Sequence, residues 1–330
     1  MSSVDIEGYG FAPYKLPTPQ RRFVASCETG SRVPTALGLN VAKLSPMNPT
    51  DSQSLSGRVA LITGANTGIG LVTARELAAG GAHVFIACRS VEKAQAAVDE
   101  IRKTTGNPKV ELLTLDLGDF ASVWQCATAF LARDLPLHLL INNAGLAGAR
   151  GLTKSGFELA FGTNHLGPFL LTQLLLDRIK QSAPARIVTV ASRAHTRVSG
   201  IDFDAVTRPT IGKAGLPEYG VSKLANVLFS AELARRLAGT GVTTYALHPG
   251  VVASDVWREL PQPFRALAKL FMISVEDGAA TTLYCATSPD VDAQTGLYYD
   301  KCRVKAPSRV GQDMALAAEL WKRSEAWVTR

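Results

Sequence analysis

The run Val59-Ala60-Leu61-Ile62-Thr63-Gly64-Ala65-Asn66-Thr67-Gly68-Ile69-Gly70 decides the reading of this chain. An apolar, β-branched stretch ends in three glycines, and Leu71-Val72-Thr73-Ala74-Arg75-Glu76-Leu77-Ala78 follows with helical character, so the segment reads strand, tight loop, helix. Glycine tolerates positive φ and carries no Cβ, which lets backbone N–H groups around Gly64, Gly68 and Gly70 come close to a ligand. The helix start adds unsatisfied N–H groups and the positive end of its dipole, a setting suited to an anion such as a pyrophosphate. The spacing is G-x-x-x-G-x-G rather than G-x-G-x-x-G, and three glycines alone equally fit a β-α turn without a ligand.

Outward from this turn, strand-like and helix-like segments alternate. Residues 82–88, 110–115, 137–141, 186–191 and 242–247 are short apolar runs of the kind buried on both faces of a parallel sheet. Residues 91–103 and 119–132 read as helices, and the helical region 157–179 contains Gly167-Pro168, where it is expected to bend. This alternation predicts an α/β fold: a Rossmann-type, doubly wound parallel sheet with right-handed crossovers, forming a single domain over residues 57–330. Ligands of such sheets bind beyond the carboxyl ends of the strands, where the strand order reverses. Residues 1–56 are different. Pro13, Pro17, Pro19, Pro34, Pro46 and Pro49 interrupt them and no apolar period emerges, so they read as an N-terminal extension, either a loose tail or an arm using Phe11, Tyr14 and Phe23.

Composition narrows the class. With 46% hydrophobic and 19% charged residues, the 330-residue chain is an ordinary globular protein rather than a disordered or fibrous one. No run of about 18 apolar residues suggests a spanning helix. The five cysteines form no C-x-x-C pair, and the start lacks a charged-then-apolar leader, so a cytoplasmic location is expected. The net charge of +7 comes from dispersed Lys and Arg without interleaved aromatics, which argues against nucleic acid. His165, His195 and His248 lack ligand spacing and read as structural; no metal site is expected.

Two further features carry chemistry. Arg89 stands nineteen residues after Gly70, at the end of the second strand, where an NAD-binding protein would place Asp or Glu for the ribose 2′-OH. A guanidinium there suits a 2′-phosphate and favours NADP(H), with Lys93 one turn on to assist; a solvated strand end is the plain alternative. Tyr219 and Lys223 are four apart and share a helical face, so the ammonium is expected to stabilise a tyrosinate and lower the phenol pKa. Ser192 follows an apolar strand at the carboxyl edge, placed to hydrogen-bond a substrate carbonyl. Alone, a Tyr-x-x-x-Lys pair is usually two surface residues; its order and location here argue otherwise.

Taken together, Thr63 to Gly70, Asp116-Leu117, Asn142-Asn143-Ala144-Gly145, Ser192, Tyr219-Gly220-Val221-Ser222-Lys223 and Pro249-Gly250 resemble the short-chain dehydrogenase/reductase family. Ala87-Cys88-Arg89, Asn164-His165-Leu166-Gly167-Pro168-Phe169, Ser222-Lys223-Leu224-Ala225-Asn226 and Leu320-Trp321-Lys322-Arg323-Ser324 are similar to its retinol dehydrogenase-like branch, which generally prefers NADP(H). The resemblance implies that Tyr219 is general acid in reduction and base in oxidation, and that Lys223 lowers its pKa and binds the nicotinamide ribose. Ser192 would orient the carbonyl, and Asn164 would hold a water in a proton relay. Cofactor contacts are implied for Gly64, Asn66, Thr67, Gly68, Ile69, Gly70, Arg89, Asp116, Leu117, Asn142, Ala144, Gly145, Pro249, Gly250, Val252 and Ser254, besides Tyr219 and Lys223. Asn143 is expected to be structural.

Two departures stand out. Ser192 and Tyr219 are 27 residues apart, so an insertion over about 197–216 adjoins the pocket, and a polar, proline-rich extension stands where membrane retinol dehydrogenases carry an apolar anchor. Substrate choice is assigned to residues 254–273. There Phe264, Leu267, Ala268 and Phe271 recur at helical spacing near Trp257. Trp257 and Phe264 are the candidate substrate contacts, as an apolar lid; core packing, or a membrane-surface helix with Arg258, Arg265 and Lys269, are the other readings. The expected function is NADP(H)-dependent interconversion of a small apolar ketone or aldehyde and its alcohol, by a chain compatible with homo-oligomers. The alternative is a non-catalytic NADP(H)-sensing regulator or scaffold. A sugar-nucleotide epimerase would bring a different glycine loop and a larger C-terminal domain.

Overall fold

The computed structural model describes residues 54–210, 215–250 and 273–329. The opening apolar run is strand β1 (Val59–Thr63), buried along its whole length, and it leads into helix α1 (Gly68–Ala79). Then follow β2 (His83–Cys88), α2 (Val91–Thr105), β3 (Val110–Thr114), α3 (Phe120–Leu131) and β4 (Leu139–Asn142). The helix boundaries follow local chemistry. Ser90 caps α2 by accepting from the Lys93 N–H, Gly106 closes it at φ +68°, and Asp119 caps α3 through the Ala121 N–H at 3.1 Å.

The helical region after β4 changes helix type just before Gly167-Pro168. It consists of a short turn α4 (Leu159–Phe161), a π-helical turn (Gly162–Leu166) and α5 (Gly167–Gln181), with Pro168 in the first turn of α5. The Gly167 N–H reaches back to the Gly162 carbonyl, the wide ring of a π-turn. A Cβ on Gly167 would run into the Leu117 carbonyl, so glycine lets the start of α5 pack against the turn after β3. Strand β5 (Ala185–Val190), a 3₁₀ turn (Arg193–Arg197), helix α6 (Leu216–Arg236) and β6 (Val242–His248) come next. Helix α7 (Val275–Thr287), β7 (Leu297–Asp300), β8 (Arg303–Val304) and helix α8 (Met314–Val328) complete the described chain.

The eight strands order as β3-β2-β1-β4-β5-β6-β7-β8. All neighbours pair in parallel except β7 and β8. The order reverses between β1 and β4, which sets the crevice beyond their carboxyl ends. Period-two alternation divides the core. Leu61 and Phe85 point into the layer of α3, α5 and α6, with Val123, Phe130, Phe169 and Phe229. Ala60, Ile62, Val84 and Ile86 point into the layer of α1, α2 and α7, with Leu77, Val98 and Cys285. Burying both faces is why these strands are continuously apolar. No helix among the described residues is long and apolar enough to cross a membrane.

Candidate active site

The glycine turn is built as much by packing as by ligand access. Gly64 and Gly68 have φ of +67° and +58°, which disfavours a side chain. Gly70 is helical, and a Cβ there would lie 2.5 Å from Asn143 Nδ2 and 2.6 Å from the Gly64 carbonyl, so it lets α1 close on β1. Asn143 ties this corner together: its side chain donates to the Thr63 carbonyl at 2.9 Å and its N–H donates to Thr63 Oγ1 at 3.0 Å.

One cavity of about 920 Å³ runs along the carboxyl ends of the strands from this turn, within the usual range for small-molecule sites. Of the residues singled out from sequence, Gly64, Asn66, Thr67, Gly68, Ile69, Gly70, Arg89, Asp116, Leu117, Ala144, Gly145, Ser192, Tyr219, Lys223, Pro249 and Gly250 line it. Asn142 does not. Its side chain is buried on the other side of the β4 end and donates to Thr172 Oγ1 at 3.1 Å; Asn143, expected to be structural, lines the cavity as well as bracing the turn. Val252, Ser254, Trp257 and Phe264 lie outside the described residues.

At the strand-β2 end, exposed Arg89 borders a second notch of about 420 Å³ with Asn66, Thr67, Ser90 and Lys93. Asp116 is used locally: its Oδ1 accepts from the Gly118 N–H at 3.0 Å, while its own N–H donates to Ser122 Oγ at 2.9 Å. Cys88 also borders the cavity, but burial pushes its thiol up to about 11 and keeps it protonated.

At the other end, Tyr219, Lys223 and Ser192 meet as their spacing anticipates. Both α6 side chains are buried, and the Lys223 ammonium lies 5.7 Å from the Tyr219 ring centroid. Lys223 Nζ donates to the Val190 carbonyl at 2.8 Å, and Ser192 hydrogen-bonds the Tyr219 phenol. The electrostatics depart from the sequence expectation. Burial raises the Tyr219 pKa above its ordinary value, with the Ser192 hydroxyl pulling the other way, and burial lowers Lys223 to about 8. Desolvation outweighs the attraction anticipated from helical spacing alone, so the phenol keeps its proton.

Asn164 sits in the π-turn rather than in the cavity wall. Its Oδ1 accepts from the Leu146 N–H at 2.8 Å, and its Nδ2 donates to the Leu146 carbonyl and to Ser222 Oγ, both at 2.9 Å. Ser222 passes the contact on, donating to the Tyr219 carbonyl at 2.8 Å. This link between the π-turn and α6 was missed at the sequence level, although Ser222 stands beside Lys223. A Cβ on Gly145 would lie 3.3 Å from both Lys223 Nζ and Asn164 Oδ1, so its absence keeps the cavity open above the ammonium.

Two histidines read as structural acquire places here. His248 borders the cavity, is buried, and has no hydrogen-bond partner on either ring nitrogen among the described residues. Burial lowers it to about 4, leaving a neutral imidazole with one donor and one acceptor to offer. His195 is buried behind Ser192. The open turn at the α1 start, the space over Gly145 and the unpartnered His248 together fit an elongated ligand with an anionic middle and a polar end. Among the described residues no His, Cys, Asp and Glu cluster has the makings of a metal site.

Comparison with known proteins agrees with this geometry. The short chain dehydrogenase family model matches residues 58–263. Retinol dehydrogenase 12 of Homo sapiens is 47% identical over 272 residues, covering 81% of this chain and 85% of that protein. Among solved structures, an uncharacterized protein from Mycobacterium Paratuberculosis is similar at TM-score 0.69 and 35% identity, over 86% of this chain and 98% of that one. Pseudomonas aeruginosa RhlG, solved as an active-site complex with NADP, is similar at TM-score 0.60 and 26% identity, over 74% and 94% of the two chains. The strand order, the glycine turn and the meeting of Ser192, Tyr219 and Lys223 thus have a common explanation: the chain belongs to the short chain dehydrogenase family, and within it is retinol dehydrogenase-like.

Proposed function

We propose that this chain is an NADP(H)-dependent oxidoreductase that interconverts an apolar ketone or aldehyde and its alcohol. The observation that carries the reading is the convergence of a buried phenol, a serine hydroxyl and an ammonium on one cavity wall. A nicotinamide cofactor bound along the glycine turn and over Gly145 and Lys223 would supply or accept the hydride. In reduction, Ser192 donates a hydrogen bond to the substrate oxygen and Tyr219 transfers its proton there. The raised phenol pKa keeps that proton in place at neutral pH. Lys223, still charged below about pH 8, offsets the negative charge that develops on the Tyr219 oxygen. The Leu146–Asn164–Ser222 links hold α6 against the loop after β4, which keeps Tyr219 in register with the cavity.

NADP(H) over NAD(H) is supported by Arg89. Neither Arg89 nor Lys93 has an ion-pair partner among the described residues, and both line the notch beside the α1 start, where the two cations, set against the one carboxylate of Glu100, would meet a 2′-phosphate. An apolar substrate is supported by Leu146, Val198 and Leu216 on the described mouth of the cavity, and by the names of the retinol dehydrogenase relatives. Trp257 and Phe264 complete this reading as substrate contacts.

The decisive variant is Tyr219→Phe, assayed with NADPH and a long apolar aldehyde such as retinaldehyde. Folding and NADPH binding are expected to survive, while kcat falls by about 10²- to 10⁴-fold, the range general acid catalysis contributes. Near wild-type turnover by the variant refutes the assigned proton donor. Tight NADPH binding without turnover of any aldehyde, ketone or alcohol by the native protein favours a sensor instead.

A further inference from the structure

Ser192 stands at an exposed corner. After β5 the chain turns through the 3₁₀ residues Arg193–Arg197, and of these Arg193, Thr196 and Arg197 are exposed. A single 3₁₀ turn has poor hydrogen-bond geometry and is a weak support for a hydroxyl that must hold its direction. One side chain of the turn faces inward. His195 is 1% exposed; its Nδ1 lies 2.6 Å from the Ser192 carbonyl oxygen and its Nε2 lies 3.2 Å from the Ser308 amide nitrogen.

These two partners determine the tautomer. A backbone amide can only donate and a carbonyl can only accept, so Nε2 carries the lone pair and Nδ1 carries the hydrogen. Burial lowers the pKa, in keeping with a neutral ring. The Tyr298 ring packs on the imidazole edge to face, with centroids 5.0 Å apart. Ser308 begins a tight loop whose Gly311 N–H returns to Ser308 Oγ at 3.2 Å, and this loop lies against Val227, two turns after Tyr219 on α6.

We propose that His195 is a positioning residue: its imidazole is a strut that holds the Ser192 backbone against the Ser308 loop, so that Ser192 and Tyr219 are aligned on one scaffold. The inference rests on the role of Ser192 proposed above. Without the strut the 3₁₀ turn keeps its own backbone bonds, the Ser192 Oγ contact to the Ala194 N–H at 3.1 Å and the Thr196 Oγ1 bond to the Arg193 carbonyl at 2.9 Å, all local to the turn, and the serine hydroxyl loses its direction relative to the rest of the fold.

Amide side chains separate the two halves of the strut. His195→Asn places an N–H where Nδ1 stands and keeps the bond to Ser192, whereas His195→Gln places an acceptor near Nε2 and keeps only the bond to Ser308. Each variant breaks one end of the strut, so with NADPH and an aldehyde both are expected to lose about tenfold to a hundredfold in kcat, with the NADPH dissociation constant unchanged, and wild-type turnover by either overturns the strut. The same pair is then made in a Ser192→Ala background. There neither variant should cost anything further, because the hydroxyl they would misplace is gone. An equal loss in both backgrounds overturns the proposal and leaves the proposed reaction standing. Full activity of Ser192→Ala by itself overturns both. Nitrogen-15 spectra of the histidine-labelled native protein, with the His195 signal assigned by its loss in His195→Asn, supply a readout without turnover. An Nδ1–H neutral ring is expected, and an Nε2–H ring overturns the strut even if the variants fold poorly.

Discussion

Lys223→Met replaces a buried ammonium with an apolar side chain of similar length, and so separates the cost of burying the charge from the benefit of using it. Lys223 is 3% exposed, and burial lowers its pKa from 10.5 to about 8. At about 1.4 kcal/mol per pH unit, that displacement amounts to about 3 kcal/mol against the fold while the group is charged. The variant also removes the 2.8 Å donor from the Val190 carbonyl, but Asn226 Nδ2 still donates there at 3.4 Å. The loss is therefore at the low end for a disturbed buried polar group, about 1 kcal/mol. Met at this position is expected to stabilise the protein at pH 7 by about 2 kcal/mol while abolishing turnover. The pH dependence has a definite sign. The folded pKa lies below the unfolded one, so between about pH 8 and 10.5 the unfolded chain binds more protons and the native protein gains stability as pH rises. The variant lacks that gain, and its advantage should shrink through this window and reverse by its upper end. Urea unfolding of both proteins, followed by tryptophan fluorescence from pH 7 to 10, measures the difference with other titrating groups cancelled. Parallel stability curves, or a variant less stable at pH 7, refute the account of Lys223 as a charge held at a cost.

Arg89→Asp should weaken NADPH far more than NADH, because a charge-assisted contact contributes about 1.5–3 kcal/mol, or roughly ten- to a hundredfold in affinity. Equal losses in a binding titration rule out the 2′-phosphate role. Gly145→Ala puts a methyl group 3.3 Å from Lys223 Nζ and Asn164 Oδ1. Overpacking against these groups, about 1–3 kcal/mol, should lower the melting temperature, and the methyl group over the ammonium should also weaken NADPH binding. Unchanged affinity, measured by fluorescence titration, means the space over Gly145 is not used.

The sequence alone determined the fold and singled out Tyr219 and Lys223 as neighbours on one wall of the candidate site, because both are written in short-range spacing. Continuous apolar runs such as residues 59–63 dictate strands buried on both faces, three glycines dictate the turn into α1, and a four-residue separation puts Tyr219 and Lys223 on one face of α6. Strand β7 escaped notice because Leu297–Asp300 is short and has meaning only when paired with β6, about fifty residues earlier. Which of two neighbouring asparagines faces the cavity depends on where β4 ends: Asn142, its last residue, turns to Thr172, while Asn143, just past it, turns to the glycine corner. His195 and His248 show no ligand spacing, yet one hydrogen-bonds the carbonyl of Ser192 and the other borders the cavity with two nitrogens that have no partner among the described residues. The direction of the Tyr219 and Lys223 pKa shifts also belongs to the tertiary structure alone. Helical spacing reports that an ammonium and a phenol are neighbours, but desolvation depends on every atom packed around them, and in this site desolvation is the larger effect.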